Sequence, residues 1–191
     1  HGVPGAFMSM IGTTLLNEIT SEKAEQKPSA ILEKLNKGVI TALKQNLDGN
    51  PDSQDDGMDI TICMINPEEK SIQVACANHV VYIVHGDTIE VVEGDICSIG
   101  GLFSAEEDKG YSNHEYKYKK GTCVYMFSDG YQDQFGGVNN KKFMATRFKD
   151  LLFDNRELPM AKQLEILHAT FDEWKGTHRQ IDDVLVVGIK L

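Results

Sequence analysis

At Ile60 the chain stops reading with a helical period and becomes a series of short runs rich in β-branched residues. ITICMIN (Ile60–Asn66), SIQVACA (Ser71–Ala77), VVYIVH (Val80–His85) and TIEVV (Thr88–Val92) are strand-length and closed by turn residues. Asn66-Pro67-Glu68-Glu69 and His85-Gly86-Asp87 break them, which predicts an antiparallel meander, with Asn78-His79 as a further hairpin turn. Such a block dictates the fold class, because antiparallel strands must bury an apolar face against something else.

The flanking segments supply that cover. Phe7, Met10, Ile11, Leu15 and Ile19 recur at helical spacing and predict an amphipathic helix over residues 4–20, with Pro4 in its first turn. After the polar connection SEKAEQK, Ile31, Leu32, Leu35, Val39, Ile40 and Leu43 predict a second helix. Asp48–Gly57 is a loop by composition. HEYKYKK (His114–Lys120) alternates as a half-exposed strand does, and TCVYMFSD after Gly121 reads as a strand buried on both faces. Helices over Lys141–Phe153 and Met160–Lys175 follow, and VLVVGIKL (Val184–Leu191) closes the chain as a buried strand. Helices, antiparallel strands, helices and a last strand define an α+β fold of one domain spanning residues 1–191. There is no G-x-G-x-x-G or G-x-x-x-x-G-K-[ST] phosphate loop.

A formal net charge of −10 disfavours nucleic acid and anionic membrane surfaces as partners, and no basic run opposes it. Cys63, Cys76, Cys97 and Cys123 show no C-x-x-C pair, and three lie in apolar runs, as buried thiols of a reducing compartment do. No stretch reaches the roughly 18 apolar residues of a membrane span. The first residues lack a basic leader and an initiator Met, and they read as the interior of a longer chain.

Candidate chemistry gathers at two acidic positions. Asp129 stands at the exit of the buried strand Val124–Phe127, and Asp182-Asp183 stands at the entrance of the last strand. If those strands are antiparallel neighbours, the carboxylates converge at one sheet end and need a compensating cation. Oxygen-only ligation selects Mg²⁺ or Mn²⁺ over zinc. Gly130 lets the backbone turn sharply, leaving its carbonyl free to face an ion. Asp-Gly is also a common turn dipeptide, and an Asp pair can cap a loop, so spacing alone leaves both readings open. Ser128 has no G-x-S-x-G elbow and no evident base. His79, His85, His114, His168 and His178 read as surface or helix-face residues, and Met8, Met10, Met126, Met144 and Met160 as core filler. Trp174 reads as the anchor of the last helix to the sheet.

HGVPGAFMSMIG, YMFSDGYQDQFGG and QIDDVLVVGIKL occur in the order and at the separations of the SpoIIE-like branch of the metal-dependent protein phosphatases, which the chain resembles over its whole length. VACANHVVYIVHGDTIEVVEGDICSIGG resembles the central hairpin region of that branch. The resemblance implies a β-sandwich of two antiparallel sheets with helices outside. It implies a two-metal Mn²⁺ or Mg²⁺ centre that hydrolyses phosphoserine or phosphothreonine through a metal-activated water. Asp129 and Asp182 match metal ligands, Gly130 and Asp183 accompany them, and Asp133 matches a position that is usually acidic. His1 and Gly2 are remnants of a G-H-G segment whose preceding strands and metal-binding Asp are absent, which implies an N-terminally truncated domain. The implied setting is bacterial cytoplasmic signalling, with a phosphoprotein substrate, N-terminal sensory or scaffold domains, and room for a homodimer.

Two other readings stand beside the phosphatase. One is a catalytically silent scaffold of the same fold, against which the retention of both Asp129 and Asp182 speaks. The other is a metal-dependent hydrolase of small phosphate esters. With one ligand missing, the expected outcome is weak metal binding and little or no phosphatase activity from residues 1–191, and activity from a longer chain. Mn²⁺-dependent hydrolysis of p-nitrophenyl phosphate by the two chains, compared side by side, checks this, and equal rates refute it.

Overall fold

The strand-length runs that begin at Ile60 are strands in the computed structural model, which describes residues 2–21, 27–45, 56–101 and 110–191. His1, the connection at 22–26 and the loop at 48–55 lie outside the described residues. Two helices come first, α1 (Gly2–Ser21) and α2 (Pro28–Leu43). Strands follow: β1 (Gly57–Met58), β2 (Ile60–Asn66), β3 (Ser71–Ala77), β4 (Val80–His85), β5 (Thr88–Glu93), β6 (Ile99–Gly100), β7 (His114–Lys117) and β8 (Cys123–Phe127). The remainder holds the short helix α3 (Gly130–Asp133), β9 (Phe135–Gly136), β10 (Lys141–Lys142), helices α4 (Ala145–Asp154) and α5 (Met160–Lys175), and β11 (Val186–Lys190). This is an α+β fold of antiparallel sheets flanked by helices. The chain forms two compact units, His1–Val80 with Val92–Lys117, and Val81–Val91 with Tyr118–Leu191.

The first unit carries the sheet β2-β3-β7, both pairs antiparallel. Its core is the apolar face of α2, where Leu32, Leu35 and Val39 are fully buried with Ala75, Ala77 and Ile99. Each such aliphatic side chain contributes about 2 kcal/mol by leaving water. α2 ends at Lys44 in the left-handed conformation, φ 52°, and the next side chain then closes the unit. Gln45 Oε1 accepts from the Gly101 N–H at 2.9 Å, and its Nε2 donates to the Asp56 carbonyl at 2.8 Å. On α1 the expected stripe holds at Ile19, which is buried, and at Ile11 and Leu15, which pack against the core, but Phe7 and Met10 are exposed and Met8 is buried in their place. Met8 also lies at helical spacing from Ile11, Leu15 and Ile19, and packing selects it over Phe7 and Met10 at the N-terminal end of the stripe.

The second unit carries the sheet β11-β8-β4-β5. β8 pairs antiparallel with β11, from Phe127↔Val186 to Cys123↔Lys190, and with β4 around Tyr125↔Tyr82. α5 is held by two phenols: Tyr125 donates to Gln163 Oε1 and Tyr131 to the Leu167 carbonyl, each at 2.8 Å. Burial pushes both phenols well above their usual range, so they remain donors. Tyr131 also packs on Phe143, Phe148 and Phe171, with ring centroids 4.6–5.2 Å apart.

Several expectations are corrected. β3 and β4 do not form a hairpin: β3 pairs with β2 and β7, while β4 sits beside β8 and β5. Asn78-His79 is therefore a connection between sheets, with Asn78 at φ 48°. β11 is the outer strand of its sheet among the described residues, with Val187 39% exposed and Leu185 just before it 61% exposed, rather than a buried strand. Lys141 and Lys142 pair with Gly136 and Phe135 as β10, which delays α4 to Ala145. Trp174 ties α5 to the β9–β10 hairpin rather than to the main sheet: its Nε1 donates to the Gln134 carbonyl at 3.0 Å and its ring packs edge-on against Phe143. Of the methionines read as core, Met8 is buried, but Met10 and Met144 are exposed. All four cysteines are free, and burial pushes the Cys63 thiol up to about 11.

Met144 precedes α4 with φ 79° and ψ 143°, a backbone region that costs a side chain of order 1–3 kcal/mol and that glycine adopts freely. Its side chain is 56% exposed, so little packing is at stake. Met144→Gly is expected to stabilise the protein by about 1 kcal/mol, read as a raised urea midpoint.

Candidate metal centre

β8 leaves its sheet at Phe127, and the next residue continues the pairing with β11 by different means. The Ser128 N–H donates to the Leu185 carbonyl at 2.9 Å. Its hydroxyl donates to the Asp183 carbonyl at 2.8 Å and accepts from the Leu185 N–H at 2.9 Å. The condition set by the sequence is thereby met: β8 and β11 are antiparallel neighbours, so the exit carrying Asp129 and the entrance carrying Asp182-Asp183 share one sheet end.

Gly130 is required there by space. A β-carbon on it would collide with the Asp183 carbonyl oxygen and lie 3.4 Å from Val184 Cγ2. The sequence reading attributed this glycine to turn geometry, yet its φ is not among the positive ones. The physical reason is the close approach of the 183–184 backbone.

The carboxylates differ in their local bonding. Asp129 sits at the N-cap of α3 with φ −72° and ψ −16°, and its side chain makes no capping hydrogen bond. Asp129 lies in a turn, as the Asp-Gly dipeptide reading has it. Its carbonyl accepts the Asp133 N–H at 3.0 Å, which puts Asp133 one helical turn further on the same face. Asp182 Oδ1 accepts the Asp183 N–H at 2.8 Å. Asp129, Asp182 and Asp183 are exposed, whereas Asp133 is half-buried with Oδ2 2.8 Å from Lys142 Nζ. Gly2 lies at the start of α1 in the other compact unit, and His1 is outside the described residues.

The donors at this end are carboxylate and carbonyl oxygens, which suit a hard ion such as Mg²⁺ or Mn²⁺. Among the described residues no group of three or more His, Cys, Asp or Glu side chains is placed to hold an ion. The donor chemistry fits a divalent cation, and among the described residues Asp129 and Asp182 do not complete a ligand group.

Two residues at this site were not singled out from the sequence for a role. Ser128 has no nucleophile signature, and its structural task is legible as a short hydroxyl between a buried strand and an acidic turn. Lys142 was assigned to a helix, and the Lys-Lys pair ahead of Phe143 was its only signal.

The geometry belongs to a known architecture. Over all of this chain and 72% of the other, the SiaA-PP2C domain of Pseudomonas aeruginosa superimposes with a TM-score of 0.86 at 27% identity. The PP2C phosphatase domain of SpoIIE from Bacillus subtilis, solved with a fragment of its regulatory domain, gives 0.71 at 14% identity, over 100% of this chain and 51% of that one. RsbX in complex with magnesium gives 0.52 at 16% identity, over 93% and 71%. The chain thus spans about half the length of the SpoIIE structure that it matches. A comparison with curated proteins finds no match. The fold is that of PP2C phosphatase domains. The sequence profile described as Stage II sporulation protein E (SpoIIE) matches residues 1–191, and the chain belongs to that family.

Two substitutions separate the spatial requirement from the hydrogen bonds. Gly130→Ala must displace backbone and is expected to cost at least about 2 kcal/mol. Ser128→Ala removes bonds that water can partly replace and is expected to cost about 1 kcal/mol. Urea denaturation of both variants checks the order.

Proposed function

We propose that residues 1–191 are part of a phosphatase module that, within the longer protein, hydrolyses phosphoserine or phosphothreonine on a regulatory protein in bacterial signalling. The observation that carries this reading is that the positions of Asp129 and Asp182-Asp183 fall at one end of the β8–β11 pair, in a chain of the SpoIIE family. The relatives support it: one is a PP2C domain solved with part of its regulatory domain, and another is a magnesium complex. Mn²⁺ or Mg²⁺, in a two-metal centre completed by residues outside the set described, is the proposed cofactor, with Asp129 and Asp182 as ligands and the Gly130 carbonyl beside them. Bound there, the metal supplies positive charge to the phosphoryl oxygens and lowers the pKa of water.

The chain's own residues hold and space this centre. The β8–β11 pairing keeps Asp129 from drifting, because its strand is buried from Cys123 to Tyr125 and again at Phe127. Ser128 pins the Asp183 carbonyl and thereby sets where Asp182 enters. Absence of a nucleophile elbow around Ser128 accords with direct attack by water rather than a phosphoenzyme. N-terminal regulatory domains and a cytoplasmic setting are part of the proposal.

The alternative is a scaffold without catalysis. It has no use for an acidic residue at an N-cap whose side chain leaves the cap unfilled, as Asp129 does. The discriminating measurement is Mn²⁺-dependent hydrolysis of a phosphoserine peptide by the intact protein, with a sugar phosphate as the competing substrate class. Asp129→Asn is expected to lower turnover at least about a hundredfold and EDTA to abolish it. Undiminished turnover in Asp129→Asn sinks the assignment, and preference for the sugar phosphate redirects it to small esters.

A further inference from the structure

Resting on the phosphatase reading, the geometry points to Lys142 as the residue that anchors the substrate's phosphoryl group. The site presents a problem of charge. Asp129, Asp133, Asp182 and Asp183 belong to one sheet end and its adjoining helix, on a chain of net charge −10, yet a phosphomonoester arrives as an anion. Among the described residues Lys142 forms an ion pair with this acidic end, its Nζ 2.8 Å from Asp133 Oδ2. Asp133 is in turn one helical turn from Asp129, bonded to its carbonyl.

The lysine is placed by its backbone as well as by its ion pair. Lys142 pairs with Phe135 across β9–β10. The two residues after it are tied back to α3 and its end: the Phe143 N–H donates to the Gln134 carbonyl at 2.9 Å, and the Met144 N–H to the Gln132 carbonyl at 2.8 Å. The unfavourable Met144 backbone lies in this same closure. A strained residue beside an ion pair at a site is where a fold spends stability on placement.

Four other cations of this unit have other tasks. Arg147 stacks on Trp174 with 4.6 Å to the ring centroid. Arg156 binds the Gly86 carbonyl and Asp87, and Lys190 donates to the carbonyls of Arg156 and Glu157. Lys175 pairs with Asp172. Lys142 has capacity to spare: an ammonium carries three donors, Asp133 takes one, and the side chain is 43% exposed. It can therefore keep Asp133 and bind a phosphoryl oxygen at once, with a charge-assisted hydrogen bond.

The test uses the intact protein with Mn²⁺, a phosphoserine peptide, and inorganic phosphate as competitive inhibitor and directly titrated ligand. For Lys142→Met the expected result is a rise of about tenfold in KM and in the phosphate inhibition constant, with a smaller change in kcat. Lys142→Arg, which keeps the charge and the donors, is expected to restore both to within about threefold. A fall in kcat with KM and phosphate binding unchanged overturns the inference, because Lys142 then acts only through Asp133 or the hairpin. So does an unchanged Lys142→Met; in both cases wild-type turnover leaves the phosphatase reading intact. A wild-type protein that neither hydrolyses the peptide nor binds phosphate removes that reading and this inference together.

Discussion

A single hydroxyl joins the two halves of the acidic sheet end. Ser128 accepts from the Leu185 N–H and donates to the Asp183 carbonyl, so the pairing of β8 with β11 runs past the last backbone pair into the turn. A side-chain bridge at this point lets β8 leave the sheet while the 183–185 backbone stays beside it. Asp129 follows directly, and Gly130 then yields its side-chain volume to the Asp183 carbonyl. The order Ser-Asp-Gly is thus three physical tasks in sequence: a bridge, a carboxylate left unbonded by its own helix, and a gap.

That arrangement costs something elsewhere in the unit. Acidic groups held together repel, and water at an exposed sheet end screens only part of the repulsion. The chain answers with an ion pair at Asp133–Lys142, placed by a two-stranded hairpin whose closure tolerates Met144 at φ 79°. Trp174 clamps the same hairpin from α5 through the Gln134 carbonyl. The aromatic group around Tyr131 supports α3, α4 and α5 together, which gives the short helix bearing Asp133 a rigid base.

Much of this was legible from residue patterns because it is local. Strand-length β-branched runs gave β2 to β5 with small errors at their ends, and the helices from Met160 and Pro28 stand where their periods place them. The acidic pair was legible for a different reason: two apolar strands each carry an acid at one end, and antiparallel pairing makes those ends coincide. Partner choice was not legible. β3 and β4 look like a hairpin because a short turn separates them, but strands separated by a turn can enter different sheets at no cost visible in their own residues. On α1 the sequence places Ile11, Leu15 and Ile19 correctly and misses only at the first turns, since Met8 and Phe7–Met10 both satisfy the helical period with them. The Lys141–Lys142 strand was hidden because two residues carry no period at all.

By itself, then, the sequence determined the element types, the fold class and the two acidic positions, since these follow from spacing, propensity and the sign of charge along a few neighbouring residues. Only the tertiary structure decided which strands pair, that β11 stands outermost in its sheet among the described residues, that Gly130 is demanded by a neighbouring backbone, and that Asp133 faces Lys142. Those features depend on groups distant in sequence occupying the same volume, and volume is not written in any local period.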